Sequence, residues 1–244
     1  KNLLKKYKPK KIIDAGCGAG MPLVKLRKMG FNVSGYDKAA KMIKEAKINL
    51  KKYKLSSNYV KIGDFENPTH IKNNSVECIL GMGAFYYSKK FNRTLKRQIK
   101  KLKKNGRLIF SLRNELFNIS TFNDYSINFF SDLYNIDKYD KKTKKIFIKM
   151  MTGYRKRQNT KIKNIDDYNV YSSTHNPITI EKEILNKLGL KCNGIYFYHF
   201  HILPPIFEKY NKSVYRNLSY KIEKPEDWRG YFMASAFVVD CQKL

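Results

Sequence analysis

A glycine-rich bend between a short apolar strand and a helix constrains this chain more than any other feature. Lys11-Ile12-Ile13-Asp14 reads as a strand and Ala15-Gly16-Cys17-Gly18-Ala19-Gly20 as a tight turn. Leu23, Val24, Leu26 and Met29 then fall at helical spacing, and Gly30 stops the helix. Glycines let a backbone pass close to a ligand with no Cβ in the way. The helix start that follows presents unpaired N–H groups and a partial positive charge. The spacing excludes two ligand classes. A dinucleotide fingerprint needs glycine where Met21 stands, and a phosphate-binding loop needs Gly-Lys-Ser/Thr where the chain has Gly20-Met21-Pro22.

The bend opens a regular alternation. Residues 31–37 read as a second strand ending in Asp37, and 39–53 as a helix with Met42, Ile43, Ala46, Ile48 and Leu50 at helical spacing. Residues 59–62 form a third strand that exits at Gly63-Asp64-Phe65, and 76–80 a fourth that exits at Gly81-Met82-Gly83. A helix over 94–102, a turn at Lys104-Asn105-Gly106 and a fifth strand over 107–112 follow. Strands alternating with helices predict a parallel sheet covered on both faces, with ligands at the carboxyl ends of the strands. Residues 114–169, rich in aromatics, Lys and Asn, interrupt the pattern as a mostly helical insertion expected to lie over that edge. A helix over 179–188 closed by Gly189, a strand over 191–201 and a last strand over 232–240 complete the chain.

Composition narrows the class. Of 244 residues, 42% are hydrophobic, enough for a packed core and too many for wholesale disorder. No run approaches the roughly 18 apolar residues of a membrane span, and residues 1–11 are too polar for a signal peptide. A first residue other than Met is compatible with a chain trimmed upstream of Lys1. Cys17, Cys78, Cys192 and Cys241 are scattered with no metal-ligand spacing, so they read as reduced thiols and the expected location is cytoplasmic. Fifty basic against twenty acidic residues give a net charge of +30. Lys, Asn, Ile, Tyr and Phe, all abundant here, share A/T-rich codons, which makes genome composition the first explanation. A basic face for an anionic partner is the alternative, and 138–149 and 155–163 are its densest stretches.

Asp14-x-Gly16-x-Gly18-x-Gly20 with an acid at Asp37 resembles class I S-adenosylmethionine-dependent methyltransferases. The resemblance covers about residues 9–112 by motif and the last two strands by order. It implies an α/β, Rossmann-like, doubly wound fold with a mostly parallel seven-stranded sheet and a helical insertion after strand 5. One domain over 1–244 is expected: a cofactor core over 9–112, the insertion over 114–170, and a C-terminal helix and strands over 171–244. The implied cofactor is S-adenosylmethionine, leaving as S-adenosylhomocysteine. Asp14, Gly16, Cys17, Gly18 and Gly20 would form its loop. Asp37, with Lys38 beside it, would take the ribose hydroxyls, Asp64 and Phe65 the adenine, and Gly81, Met82 and Gly83 the methionine part.

The acceptor is narrowed by the fourth-strand exit. Enzymes that methylate base amines carry Asp/Asn-Pro-Pro-Tyr there, whereas this chain has Gly83-Ala84-Phe85-Tyr86. With Tyr196-Phe197-Tyr198-His199-Phe200-His201 leading into Pro204-Pro205 and then Trp228-Arg229-Gly230, the C-terminal third is similar to small-molecule methyltransferases among surface-polysaccharide and secondary-metabolite enzymes, which implies a hydroxyl of a sugar or nucleotide-linked sugar as acceptor, with an anionic group suiting the basic chain. Tyr86, Arg113, Asn114 and Glu115 follow strand ends and are expected to face it, with Tyr87, Phe117 and Phe122 as apolar walls. A hydroxyl nucleophile loses a proton, so a histidine base is sought. His70 lies in a polar loop and reads as solvent-facing. His199 and His201 alternate on one strand and should share a face, and His175 precedes Asn176-Pro177 near the same mouth. These three are the catalytic candidates. No third ligand accompanies the i, i+2 histidines, so no metal is assigned. An RNA methyltransferase using the basic surface and a non-catalytic binding module are the rival readings.

Overall fold

The computed structural model describes residues 1–157, 171–209 and 212–244. Residues 158–170, which hold the end of the expected insertion and most of the 155–163 basic run, lie outside the described residues. The chain forms two compact units. The first comprises Lys1–Leu112, Ile178–Ile195 and Val238–Leu244, and the second Arg113–Pro177 and Tyr196–Phe237.

The first unit alternates strands and helices: α1 (Asn2–Tyr7), β1 (Ile12–Ala15), α2 (Met21–Lys28), β2 (Val33–Asp37), α3 (Ala40–Lys52), β3 (Val60–Ile62), β4 (Val76–Gly81) and α4 (Phe91–Lys101). The remaining strands in chain order are β5 (Leu102–Asn114), β6 (Thr174–His175), which belongs to the second unit, β7 (Leu190–Phe200) and β8 (Ala234–Lys243), with β5, β7 and β8 each shared between the units. The sheet order is β3-β2-β1-β4-β5-β8-β7, with β6 off the path against β5. β1 pairs in parallel with β2 and β4, β2 with β3, and β4 with β5. All four residues of β1 are buried, as a central strand covered on both faces requires. Ile43, Ala46 and Leu50 of α3 pack with Leu23 and Val24 of α2 against that strand.

β8 runs against its neighbours. Its end meets the start of β5 through Lys243 Nζ and the Leu102 carbonyl at 2.8 Å, and the start of β7 through Leu244 N–H and the Gly189 carbonyl at 3.1 Å. The expected seven strands become eight because the two-residue β6 pairs Arg113 with Thr174 and Asn114 with His175. A strand that short leaves no alternation to read. β5 starts at Leu102 and passes through the expected turn. Asn105, at φ 62°, absorbs the bend, and the register against β4 shifts between Val76 and Cys78. The helix expected over 179–188 is instead a π-turn over Glu181–Leu185 and a 3-10 turn over Asn186–Leu188, closed by Gly189 at φ 69°.

The second unit carries α5 (Asp124–Leu133), α6 (Lys141–Arg157), α7 (Lys212–Ile222) and α8 (Gly230–Met233). Asn123 caps α5 through the Tyr125 N–H, and Asp140 caps α6 through the N–H groups of Lys142 and Thr143. Phe197 anchors the aromatic packing, with its ring 4.7 Å from Tyr231 and 6.3 Å from Phe237.

Candidate functional site

The glycine bend adopts the conformation its sequence demands. Gly16, Gly18 and Gly20 have φ of 81°, 52° and 74°, left-handed values that favour glycine. Two bonds tie the bend to the end of β2: the N–H groups of Gly16 and Cys17 donate to the Tyr36 carbonyl at 2.8 and 3.0 Å. The glycines serve different ends. A Cβ on Gly16 would stand 2.6 Å from that of Ala84, so Gly16 permits close approach of the β4 exit. A Cβ on Gly18 would meet nothing within 4 Å, so the backbone there borders open space.

Asp37 is held from both sides. Gly18 N–H donates to its Oδ2 at 3.0 Å and Ala39 N–H to its Oδ1 at 2.9 Å. A carboxylate accepts about four hydrogen bonds, so both oxygens keep lone pairs for a diol. Asp14 is buried at the foot of the bend. Burial, and then the charge of Asp37, push its carboxyl up to about 7. Asp64, at the β3 exit, accepts the Glu66 N–H at 2.8 Å, and Phe65 is buried 5.8 Å from the Phe85 ring. Gly83, at φ 71°, donates its N–H to Ser111 at 2.7 Å, while Met82 beside it is exposed. These groups sit at the carboxyl ends of β1 to β4, which are adjacent in the sheet. Lys38 is exposed beside Asp37.

Cys17 takes part in the bend through its backbone. Its side chain is buried against Gly35 of β2, where an added Cβ would stand 2.8 Å from it, and burial pushes the thiol up to about 12. It contributes backbone to the bend and packing to the core. Three supporting residues escaped the sequence reading. Asn49 of α3 donates to the Ala19 carbonyl at 2.9 Å, Ser111 holds Gly83, and buried Gln98 of α4 donates to Tyr36 Oη at 2.9 Å and the Phe65 carbonyl at 2.6 Å. Gln98 and Ser111 carried a signal, since each is a polar residue inside an apolar stripe.

In the second unit, His201 Nδ1 lies 2.8 Å from Tyr215 Oη, and that hydroxyl lies 2.6 Å from the Leu203 carbonyl. A phenol has one hydrogen and a carbonyl only accepts. Tyr215 therefore donates to Leu203, and His201 donates from Nδ1, leaving the Nε2 lone pair as the basic site. Burial, aided by His199 and opposed by Glu208, holds this imidazole below its usual range. The Phe117 ring covers it at 4.7 Å.

His199 does not share that environment. Its φ of 55° breaks the strand alternation, its side chain is exposed, and its N–H donates to Glu223 at 3.1 Å. His175 is held by Ser173 at 3.0 Å, and burial lowers it to about 4. Asn114 was expected to face the acceptor. It is instead buried, donating to the carbonyls of Gly230, Tyr231 and Ala234 at 3.2, 2.9 and 2.8 Å and accepting the Leu116 N–H at 3.1 Å. Its amide pins 230–234 to the end of β5. Arg113 lies beside Thr174, and Glu115 donates its N–H to the His175 carbonyl at 3.0 Å. Tyr86 is half-buried, 4.4 Å from the Tyr87 ring. His70 is exposed, as read, though its ring stands edge-on 4.6 Å from Tyr36.

Comparison with known proteins decides the family. A family described as a methyltransferase domain matches residues 6–168, well over half of the chain. The chain belongs to this methyltransferase-domain family. The methyltransferase is 30% identical over 106 residues to a ubiquinone biosynthesis O-methyltransferase of Pelagibacter ubique. That match takes in 43% of this chain and 42% of the relative, so the chain spans less than half of the relative's length. A SAM-dependent methyltransferase of Methanosarcina mazei superposes with a TM-score of 0.58 at 15% identity, over 100% of this chain and 98% of that one. One from Mesorhizobium loti gives 0.57 at 13% identity, over 99% and 96%. At these identities the two structures speak for the fold. Among the described residues, no helix is long and apolar enough to cross a membrane.

Proposed function

We propose that this methyltransferase transfers a methyl group to a hydroxyl of a small molecule. Asp37 carries the cofactor half of the reading. It is fixed by the Gly18 amide, with lone pairs left for a ribose diol, beside a glycine that leaves the backbone open. The bound cofactor supplies an electrophilic sulfonium methyl. Asp37 holds negative charge for that cation and Asp14 adds to it on ionising, while Asn49 and Ser111 keep the bend and the β4 exit in place. The hydroxyl rests on His201, whose Nδ1 is committed to Tyr215 and whose Nε2 takes the acceptor proton. A positioned base contributes about 10²–10⁴ in rate. The likeness to the Pelagibacter O-methyltransferase also favours oxygen over nitrogen. A sugar or nucleotide-linked sugar is the acceptor expected from sequence.

Release of S-adenosylhomocysteine across a panel of sugars, nucleotide sugars, phenols and amines tests the proposal. Turnover confined to hydroxyl compounds supports it, and turnover confined to amines overturns the hydroxyl. Asp37→Ala should weaken cofactor binding about ten- to a hundredfold, the worth of a charge-assisted bond of about 1.5–3 kcal/mol. Unchanged affinity would show that the site is elsewhere.

A further inference from the structure

We infer that α6 docks this methyltransferase onto an anionic lipid bilayer. Along α6, Lys141, Lys145 and Lys149 follow one another at i, i+4, i+8, and Lys142, Ile146 and Met150 form the adjacent stripe. Ile146 is 50% exposed and Met150 68%, and Ile148, at 45%, lies on the other flank of the lysine stripe. Phe147 and Met151, on the next stripe, are half-buried. The helix therefore turns to solvent a face that is both cationic and aliphatic. No Asp or Glu interrupts it. Asp140 is spent on the cap, and Asp137 pairs with Lys144, at 3.2 Å.

Solvated lysines alone would read as a soluble face. Large aliphatic side chains set among them change the chemistry. Ile146 and Met150 gain by leaving water for the acyl boundary, and long lysine stems reach back to anionic headgroups while their methylenes stay in the interface. Each lysine near an anionic leaflet is worth about a fivefold gain in partitioning. RNA fits less well, because single strands are gripped by aromatic stacking and arginine planes, and this stripe offers isoleucine and methionine. With its many lysines the helix is suited to lie in the interface rather than to span it.

The test is co-sedimentation of the full chain with vesicles of phosphatidylcholine alone and of phosphatidylcholine with phosphatidylglycerol. Binding should need the anionic lipid and fall steeply as salt rises from about 0.1 M to about 0.5 M. Ile146→Gln with Met150→Gln, which leaves the charge unchanged, should weaken binding at least about tenfold, while the unfolding transition and S-adenosylmethionine affinity stay as they were. Lys145→Gln with Lys149→Gln should cost about fivefold per lysine. No vesicle binding, equal binding to both lipid mixtures, or retention of single-stranded RNA in place of vesicles would overturn the inference. So would full binding by the Ile146/Met150 variant, which would reduce the effect to bulk charge.

Discussion

Replacing Asp14 by asparagine should change how stability depends on pH, by an amount that follows from burial of this carboxyl. In the folded chain, burial raises the group from about 3.8 to about 7. Unfolding returns it to water and its ordinary value. The folded state therefore holds a proton that the unfolded state has released wherever the pH lies between those two values. Stability contributed by the neutral acid is complete below about 3.8 and is lost as pH rises through about 7. Each pH unit in that window costs about 1.4 kcal/mol, so the whole span amounts to about 4 kcal/mol. The amide that replaces the carboxyl does not titrate. The measured quantity is the difference in unfolding free energy between the wild-type chain and Asp14→Asn, from denaturant melts between about pH 4 and pH 8, so that groups common to both cancel. The difference should fall by about 4 kcal/mol across that range and be level above it. Saturating S-adenosylmethionine, whose sulfonium favours the ionised acid, should flatten the fall more than the uncharged thioether of S-adenosylhomocysteine. A difference that stays constant within about 1 kcal/mol would show that Asp14 is solvated, and the electrostatic account of the bend would fail.

Three further outcomes follow from the geometry. Gly18→Ala should cost about 1–2 kcal/mol for its left-handed backbone and nothing for packing, yet lower S-adenosylmethionine affinity more than tenfold; calorimetry and melts measure the two separately, and a large stability loss with intact binding would contradict the open space there. Asn114→Ala leaves buried carbonyls of 230–234 with fewer donors and should destabilise by about 2–4 kcal/mol in denaturant melts; a loss under about 1 kcal/mol would place the side chain in solvent. Tyr215→Phe frees the His201 tautomer, so kcat with a hydroxyl acceptor should fall about tenfold and the acid limb of its pH profile should move, whereas an unmoved limb would leave Tyr215 a packing residue.

The cofactor-loop residues of the first unit and the histidines of the second differ in how far the sequence reveals them, and the difference is one of range. The bend, Asp37, Gly63 and Gly83 each sit at the end of a strand with its own apolar run, so short windows place them, and the sheet then aligns them side by side. Gln98 and Ser111 were missed although each is a polar break in an apolar stripe, because their partners, Tyr36 and Gly83, emerge only from pairing across the sheet. Nothing local distinguishes Asn114 from Glu115 as the residue that turns inward. What decides is a row of carbonyls more than a hundred positions later, ending strand-side at Ala234. The histidines repeat the point. Alternation puts His199 and His201 on one face, and a single left-handed residue at φ 55° cancels it. After that break, His201 gains its partner from α7, a helix beyond Pro204-Pro205 with no motif of its own. The proposed cofactor grip is thus written in segments that fold against their neighbours in sequence. The orientation of the His201 ring is written in one contact, between Tyr215 and the Leu203 carbonyl, that forms only once α7 has packed.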